Sequence, residues 1–169
     1  MIFAKPLTKA DMPFLSKWAT YYYNHKTDTL DCLFLSYSKV KEIDTVAKRN
    51  IWYAWYNRVQ KYKNDVYAWY IIYEHNWKTN KTYKIGAVNF GGCVNECETL
   101  FFLIPKFRGK QLMHDGYMEA EQLLFDKFKV KYIWGETSNK GSAEVFEYNC
   151  FQRLGYINDY YKYTKDYYL

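Results

Sequence analysis

The sequence predicts an α/β (α+β) domain with a mixed, mostly antiparallel central sheet of about six to seven strands flanked by about four helices. Three observations carry that expectation. Segments 66–74, 83–91 and 98–104 are rich in aromatic and β-branched residues and are separated by short polar turns, which predicts an antiparallel meander. The last of them, ETLFFLI, leads through a loop into a helical pattern over 110–128 and then a strand at 131–137, a βαβ unit whose two strands are parallel. Helical periodicity also recurs before the meander and after the βαβ unit.

Taken in order, 1–5 is a short apolar strand. Thr8 is a helix N-cap with Asp11 three residues on, and Met12, Leu15, Trp18, Ala19 and Tyr22 follow at helical spacing. Residues 24–40 read as irregular, and a second helix spans 41–62 through Ile43, Val46, Ala47 and Ile51. Asn64-Asp65 is a turn before the meander. HNWKTNKT is a polar hairpin loop, and Gly91-Gly92 opens the next turn. Leu112, Gly116, Ala120, Leu123 and Leu124 define the apolar face of the helix over 110–128. A last helix opens at Gly141-Ser142 and is expected to close at Leu154-Gly155, with Gly155 as its left-handed stop. The tail INDYYKYTKDYYL reads as strand, turn, strand.

The 169 residues favour one domain over 1–169, large enough to fold without a disulfide or metal staple. Aromatic content is 22%, with 20 Tyr and 6 Trp, which fits either AT-rich codon usage or surfaces that stack on rings and bases. A net charge of +6 suits an anionic ligand, a nucleotide cofactor or nucleic acid. The basic residues are scattered, so a dedicated nucleic-acid tail is not expected. The opening MIFAKPLTKADMPF lacks the pattern of a signal peptide, and no apolar run approaches the roughly 18 residues of a membrane span. A cytoplasmic protein with reduced cysteines is the expectation. Cys93 and Cys97, spaced C-x3-C without a second pair, read as strand-end thiols rather than a zinc site.

The stretch IPKFRGKQLMHDGY, 104–117, follows the most apolar strand, passes a proline, turns basic and enters a helix. Lys106, Arg108 and Lys110 set a positive field where the helix offers unpaired N–H groups and about half a positive charge, an arrangement that suits a pyrophosphate. Such loops usually carry several glycines, and this one has only Gly109 before the helix.

The element order, Ile85-Gly86 with its apolar strand, IPKFRGK and CFQRLGY together resemble the GCN5-related N-acetyltransferase (GNAT) superfamily. PLTKADMPFLSKW and the long second helix look most like the branch that acetylates ribosomal proteins and protein N-termini. The resemblance implies acetyl-CoA as cofactor, held by Phe102, Leu103 and Ile104 at the strand end and by the loop residues Lys106, Arg108, Gly109 and Lys110. It extends the site to Gln111, Leu112 and Met113, and to Asn139 and Ser142 at the next helix start. In the family pattern R/Q-x-x-G-x-G/A, Arg108 fills the first position while Gln111 and Met113 replace the small residues. Both are expected in the first helical turn, where φ is negative and glycine is not required. There Gln111 either blocks the phosphates or donates its amide to them, and Met113 packs sideways.

The resemblance also implies a carboxylate or relayed water to deprotonate the amine and a tyrosine to protonate the departing thiolate. Glu98 is the candidate base, with a plain strand-end carboxylate as the alternative. The family's tyrosine position falls on Phe151 counting back from Gly155 and on Phe146 counting forward from Asn139, so Tyr148 is the candidate acid. His114 reads either as a base or as a half-packed histidine.

Three readings stand. The first is a CoA-dependent N-acyltransferase acting on an amine of a protein, peptide or small molecule, as a monomer or homodimer away from the membrane. The second is a GNAT-fold protein that binds or modifies nucleic acid. The third is a non-catalytic binding module. The net basic charge argues against strongly cationic acceptors.

Overall fold

The computed structural model describes residues 1–15, 17–18, 65–157 and 159–167. The irregular stretch 24–40 and the helix expected over 41–62 lie outside the described residues. The chain divides into two compact units, Met1–Pro6 with Asn64–Leu169, and Leu7–Lys63. In the second unit the expected helix start is in place. Asp11 Oδ2 accepts from the Thr8 backbone N–H at 2.8 Å and from its hydroxyl at 2.7 Å, and a 3₁₀ turn at Lys9–Asp11 leads into helical residues 12–15.

The first unit is a seven-stranded sheet with two helices. Its strands are β1 (Ile2–Pro6), β2 (Asp65–Asn76), β3 (Lys81–Cys93), β4 (Cys97–Leu103), β5 (Tyr132–Thr137), β6 (Gln152–Ile157) and β7 (Tyr160–Asp166). The helices are α1 (Leu112–Phe128) and α2 (Lys140–Tyr148). The spatial order is β1-β2-β3-β4-β5-β7-β6. The expected meander and the parallel βαβ unit are both present: β2–β3 and β3–β4 pair antiparallel, and β4–β5 pair parallel. The β2–β3 hairpin closes on Asn76, whose Oδ1 accepts from the N–H groups of Lys78 and Thr79 at 3.0 and 3.2 Å, and on Asn80 in the left-handed region at φ 52°.

Side chains alternate between the faces of a strand. Val88 and Phe90, Thr99 and Phe101, Ile133 and Gly135, and Tyr163 therefore share one face, and α1 and α2 pack on it. Tyr117 of α1 lies at the centre, fully buried, edge-on to Phe90, Phe101 and Phe151 at centroid distances of 5.8, 5.4 and 5.8 Å. Such pairs contribute about 0.5–1.5 kcal/mol each beyond burial of their area. Close approach also needs Gly135, where a Cβ would lie 2.4 Å from Phe146 Cζ. The opposite face carries Glu98, Leu100 and Phe102 of β4, Trp134 and Glu136 of β5, and Lys162 of β7.

The last helix corrects the sequence reading. α2 ends at Tyr148, not at Leu154-Gly155. Cys150, at φ 62°, takes the left-handed position. Its N–H donates to Glu147 O at 3.1 Å, the Phe151 N–H donates to Phe146 O at 3.0 Å, and the rings of Phe146 and Phe151 meet at 5.0 Å. That is a complete Schellman stop with its apolar contact. Residues 152–154, expected to be helix, belong to β6, and Gly155 sits beside a register shift in the β6–β7 ladder. A glycine-based stop signal pointed to the wrong residue because a cysteine tolerates the left-handed conformation once Phe151 is buried beneath it.

Candidate active site where two parallel strands part

The register pairs of β4 and β5 are Cys97↔Ile133 and Glu98↔Trp134, both at the N-terminal ends of the strands. Beyond them the strands part. The apex is tight, since a Cβ on Gly135 would lie 3.2 Å from Thr99 O. A wedge between diverging parallel strands exposes backbone N–H and C=O groups to a ligand lying between them.

The open end of the wedge is built by the basic loop. The Ile104 N–H donates to Ile85 O at 2.8 Å and so keeps the end of β4 on β3. Pro105–Phe107 form a 3₁₀ turn, closed by the Arg108 N–H on Pro105 O at 3.1 Å. Arg108 Nε donates to Leu103 O at 3.1 Å, so this guanidinium braces the strand end. Lys106 Nζ lies over the rings of Tyr83 and Phe107 at 5.5 and 4.9 Å, and Lys110 Nζ over Phe107 at 5.7 Å. Gly109, at φ 70°, has no atom within 4 Å of where a Cβ would be. A ligand has room there, against a backbone that only glycine adopts without strain.

Gln111 overturns one expectation. It is the N-cap of α1 at φ 57°, ψ 13°, left-handed, and not a residue of the first helical turn. Glycine would be the natural residue here, and a side chain held in this region costs about 1–2 kcal/mol. The argument that placed the Gln111 side chain by helical geometry therefore does not apply. Leu112 and Met113 do open the helix. Met113 is buried and Leu112 half-buried, so the thioether packs inward. The Gln111 side chain makes no capping hydrogen bond at the N-terminus of α1, whereas α2 is closed by Asn139, whose Oδ1 accepts from the Ser142 N–H at 3.2 Å. Thr137 Oγ1 in turn accepts from the Asn139 N–H at 3.0 Å. The two helix starts thus differ: Asn139, expected to meet the ligand, caps α2, whereas Gln111 does not cap α1.

At the apex, Glu98 is half-buried, and burial together with the Glu136 carboxylate holds its carboxyl above the usual carboxylate range. Tyr148 is elsewhere. It is 55% exposed and its ring stacks on His114, in the first turn of α1, at 4.5 Å and 19°. Asn149 Nδ2 adds a bond to His114 O at 3.3 Å. His114 is thus a half-packed histidine that joins the two helices. The α2 side chain that reaches the wedge is Phe146, buried between Phe101 and Gly135. On the helix-covered face, the Tyr117 hydroxyl donates to Thr99 Oγ1 at 3.1 Å. Burial, followed by the Glu121 carboxylate, raises its pKa well above that of a free phenol.

Trp134, Glu136 and Lys162 were missed in the sequence. Lys162 Nζ lies 4.7 Å from the centre of the Trp134 ring, on the face of the sheet that carries Glu98. Only the register of β5 against its neighbours groups these residues.

No protein-family model matches the sequence, and no curated protein sequence matches it. The fold is that of the GNAT N-acetyltransferases. Among solved structures, RimL, a ribosomal L7/L12 α-N-protein acetyltransferase in complex with coenzyme A, is 12% identical at a TM-score of 0.68, covering 98% of this chain and 93% of its own. PseH from Campylobacter jejuni, in complex with acetyl coenzyme A, is 13% identical at a TM-score of 0.64, covering 98% and 99%. The spermidine/spermine N-acetyltransferase SpeG from Vibrio cholerae is 13% identical at a TM-score of 0.65, covering 98% and 95%. At these identities the likeness is one of fold.

Proposed function

We propose that this chain is a cytoplasmic, single-domain CoA-dependent N-acyltransferase. In this reading it transfers an acetyl group from acetyl-CoA to an amine of a protein, peptide or small molecule by direct attack in a ternary complex. The observation that carries the reading is the N-terminus of α1, which Gln111 does not cap, set at the open end of the β4–β5 wedge among Lys106, Arg108 and Lys110. The residues fit a CoA thioester. The amides of the first turn of α1 and the basic side chains receive the pyrophosphate. The room at Gly109 admits it, and the parted edges of Phe102 to Ile104 and β5 flank the pantetheine arm, with Asn139 and Ser142 beyond.

Bound acetyl-CoA supplies an activated acyl carbon. Everything else falls to the chain. Glu98, directly or through a water, takes a proton from the acceptor ammonium, and its raised pKa brings its basicity nearer to neutrality. Tyr148 remains the candidate acid only if its ring leaves the His114 stack. Its position favours positioning of the amine as the larger contribution to rate. Calorimetric titration with acetyl-CoA tests the reading. Micromolar affinity or better is expected, and Lys110→Ala should weaken it by about 1–3 kcal/mol. Lys110 is the cleaner probe because Arg108 also braces β4. No binding, together with salt-sensitive binding of tRNA or DNA, would replace this reading by the nucleic-acid one.

A further inference from the structure

The acceptor side of the wedge already holds an amine. Lys162, half-buried on β7, faces Glu136 in register, and its ammonium lies over the Trp134 ring at 4.7 Å. Trp134 is in register with Glu98, the last β4 residue before the strands part. All four side chains stand on one face of the sheet, at the apex of the wedge. An ammonium seated on an indole is stabilised by the ring, and Glu98 and Glu136 stand on the same face of the sheet. The ammonium is tethered to the sheet, so its effective concentration at the apex far exceeds that of a free amine.

We propose that Lys162 is itself an acceptor: the protein acetylates its own Lys162 in cis. The inference rests on the acyltransferase reading above. Glu98, directly or through one water, removes a proton from the Lys162 ammonium. The freed Nζ lone pair attacks the thioester carbonyl carbon of acetyl-CoA. A C–N bond forms and the C–S bond breaks. The departing thiolate takes a second proton from the nitrogen, leaving acetyl-Lys162 and free CoA. No oxidant or further reactant is needed. The product has lost its charge and its hold on Trp134, so the modification opens the indole to an acceptor from solution.

The test has two parts. In the cofactor-free protein, the ε-methylene protons of Lys162 should show an upfield ring-current shift in NMR, lost in Trp134→Leu. Lys162 ε protons at random-coil positions would overturn the proposal at once. The protein is then incubated with acetyl-CoA and followed by intact mass and peptide mapping. One acetyl group should appear at Lys162, at a first-order rate independent of protein concentration. It should be absent in Lys162→Arg and slowed by about 10²-fold or more in Glu98→Gln. Acetylation spread evenly over the lysines, or a rate proportional to protein concentration, overturns the cis reaction. Calorimetry separates this proposal from the one beneath it. Acetyl-CoA binding with Lys162 unmodified overturns only the self-acetylation, whereas no binding removes the acyltransferase reading as well.

Discussion

Gln111 is in conflict with its backbone, because it stands at φ 57° where glycine is unstrained. Gln111→Gly should stabilise the protein by about 1 kcal/mol, the left-handed penalty less the added chain entropy, and raise Tm by ~2–4 °C in a chain of this size. Gln111→Ala should give no such gain, and equal melting temperatures for both variants would show that no strain is stored there. Glu98 is the second residue with a legible consequence. Burial and then Glu136 raise its pKa, so more of it is protonated at any given mildly acidic pH. A base works deprotonated, so the rate should fall as pH drops through a midpoint above the ordinary Glu value of about 4.3. Glu136→Gln removes the like charge and should move that midpoint down, as read in a pH–rate profile. A midpoint that stays where it was would assign the limb to another group.

At the scale of elements, α1 is fastened to β7 by a small polar cluster. Lys165 Nζ meets Glu121 Oε2 at 2.8 Å, and the Tyr167 hydroxyl donates to Glu121 Oε1. Glu121 is buried, so removing its cationic partner strands a carboxylate. Lys165→Met should cost about 2–4 kcal/mol in denaturant unfolding, and the double variant Glu121→Leu, Lys165→Met should recover most of it. Additive losses in the double variant would show that the two side chains act independently. The β3–β4 turn behaves differently. The Cys97 thiol is buried and accordingly pushed up to about 12, with Cys93 and Glu96 adding to burial, and its Sγ donates to Cys93 O at 3.0 Å. At pH 8 it is almost wholly thiol. Iodoacetamide should therefore label Cys93 and Cys150, both exposed, long before Cys97. Comparable rates at Cys93 and Cys97 would mean that the turn opens.

For the whole molecule, the proposed acetyl-CoA site predicts a coupling of binding to folding. At acetyl-CoA concentrations about 100-fold above Kd, stability should rise by ~2.7 kcal/mol and Tm by roughly 5–10 °C. The shift should shrink in Lys110→Ala, and an unmoved melting temperature across millimolar acetyl-CoA would count against the cofactor site. Beside the net charge of +6, Glu98 and Glu136 share one face of adjacent strands with Lys162, and the Glu136 carboxylate adds to burial in raising the Glu98 pKa.

Much of this was legible in the chain. The meander, the βαβ unit and α1 are written in local patterns: β-branched and aromatic runs, turn residues, and apolar positions at helical spacing. Each of those is decided by neighbours a few residues away. The basic loop before α1 was legible for the same reason, since IPKFRGK carries its strand end, proline and charges in one short stretch. The end of α2 was not. Gly155 looked like the stop, yet Cys150 serves, because Phe151 gains more from burial against Phe146 and Tyr117 than the left-handed cysteine loses. The placement of Tyr148 on His114 and the conformation of Gln111 likewise depend on how α1 seats on the sheet. Above all, Glu98, Trp134, Glu136 and Lys162 come from three strands, and only the register between those strands makes them neighbours. Local sequence sets which residues form a strand. Which residue then faces which across the ladder is set by long-range packing, because a slip of one residue would turn every side chain to the other face.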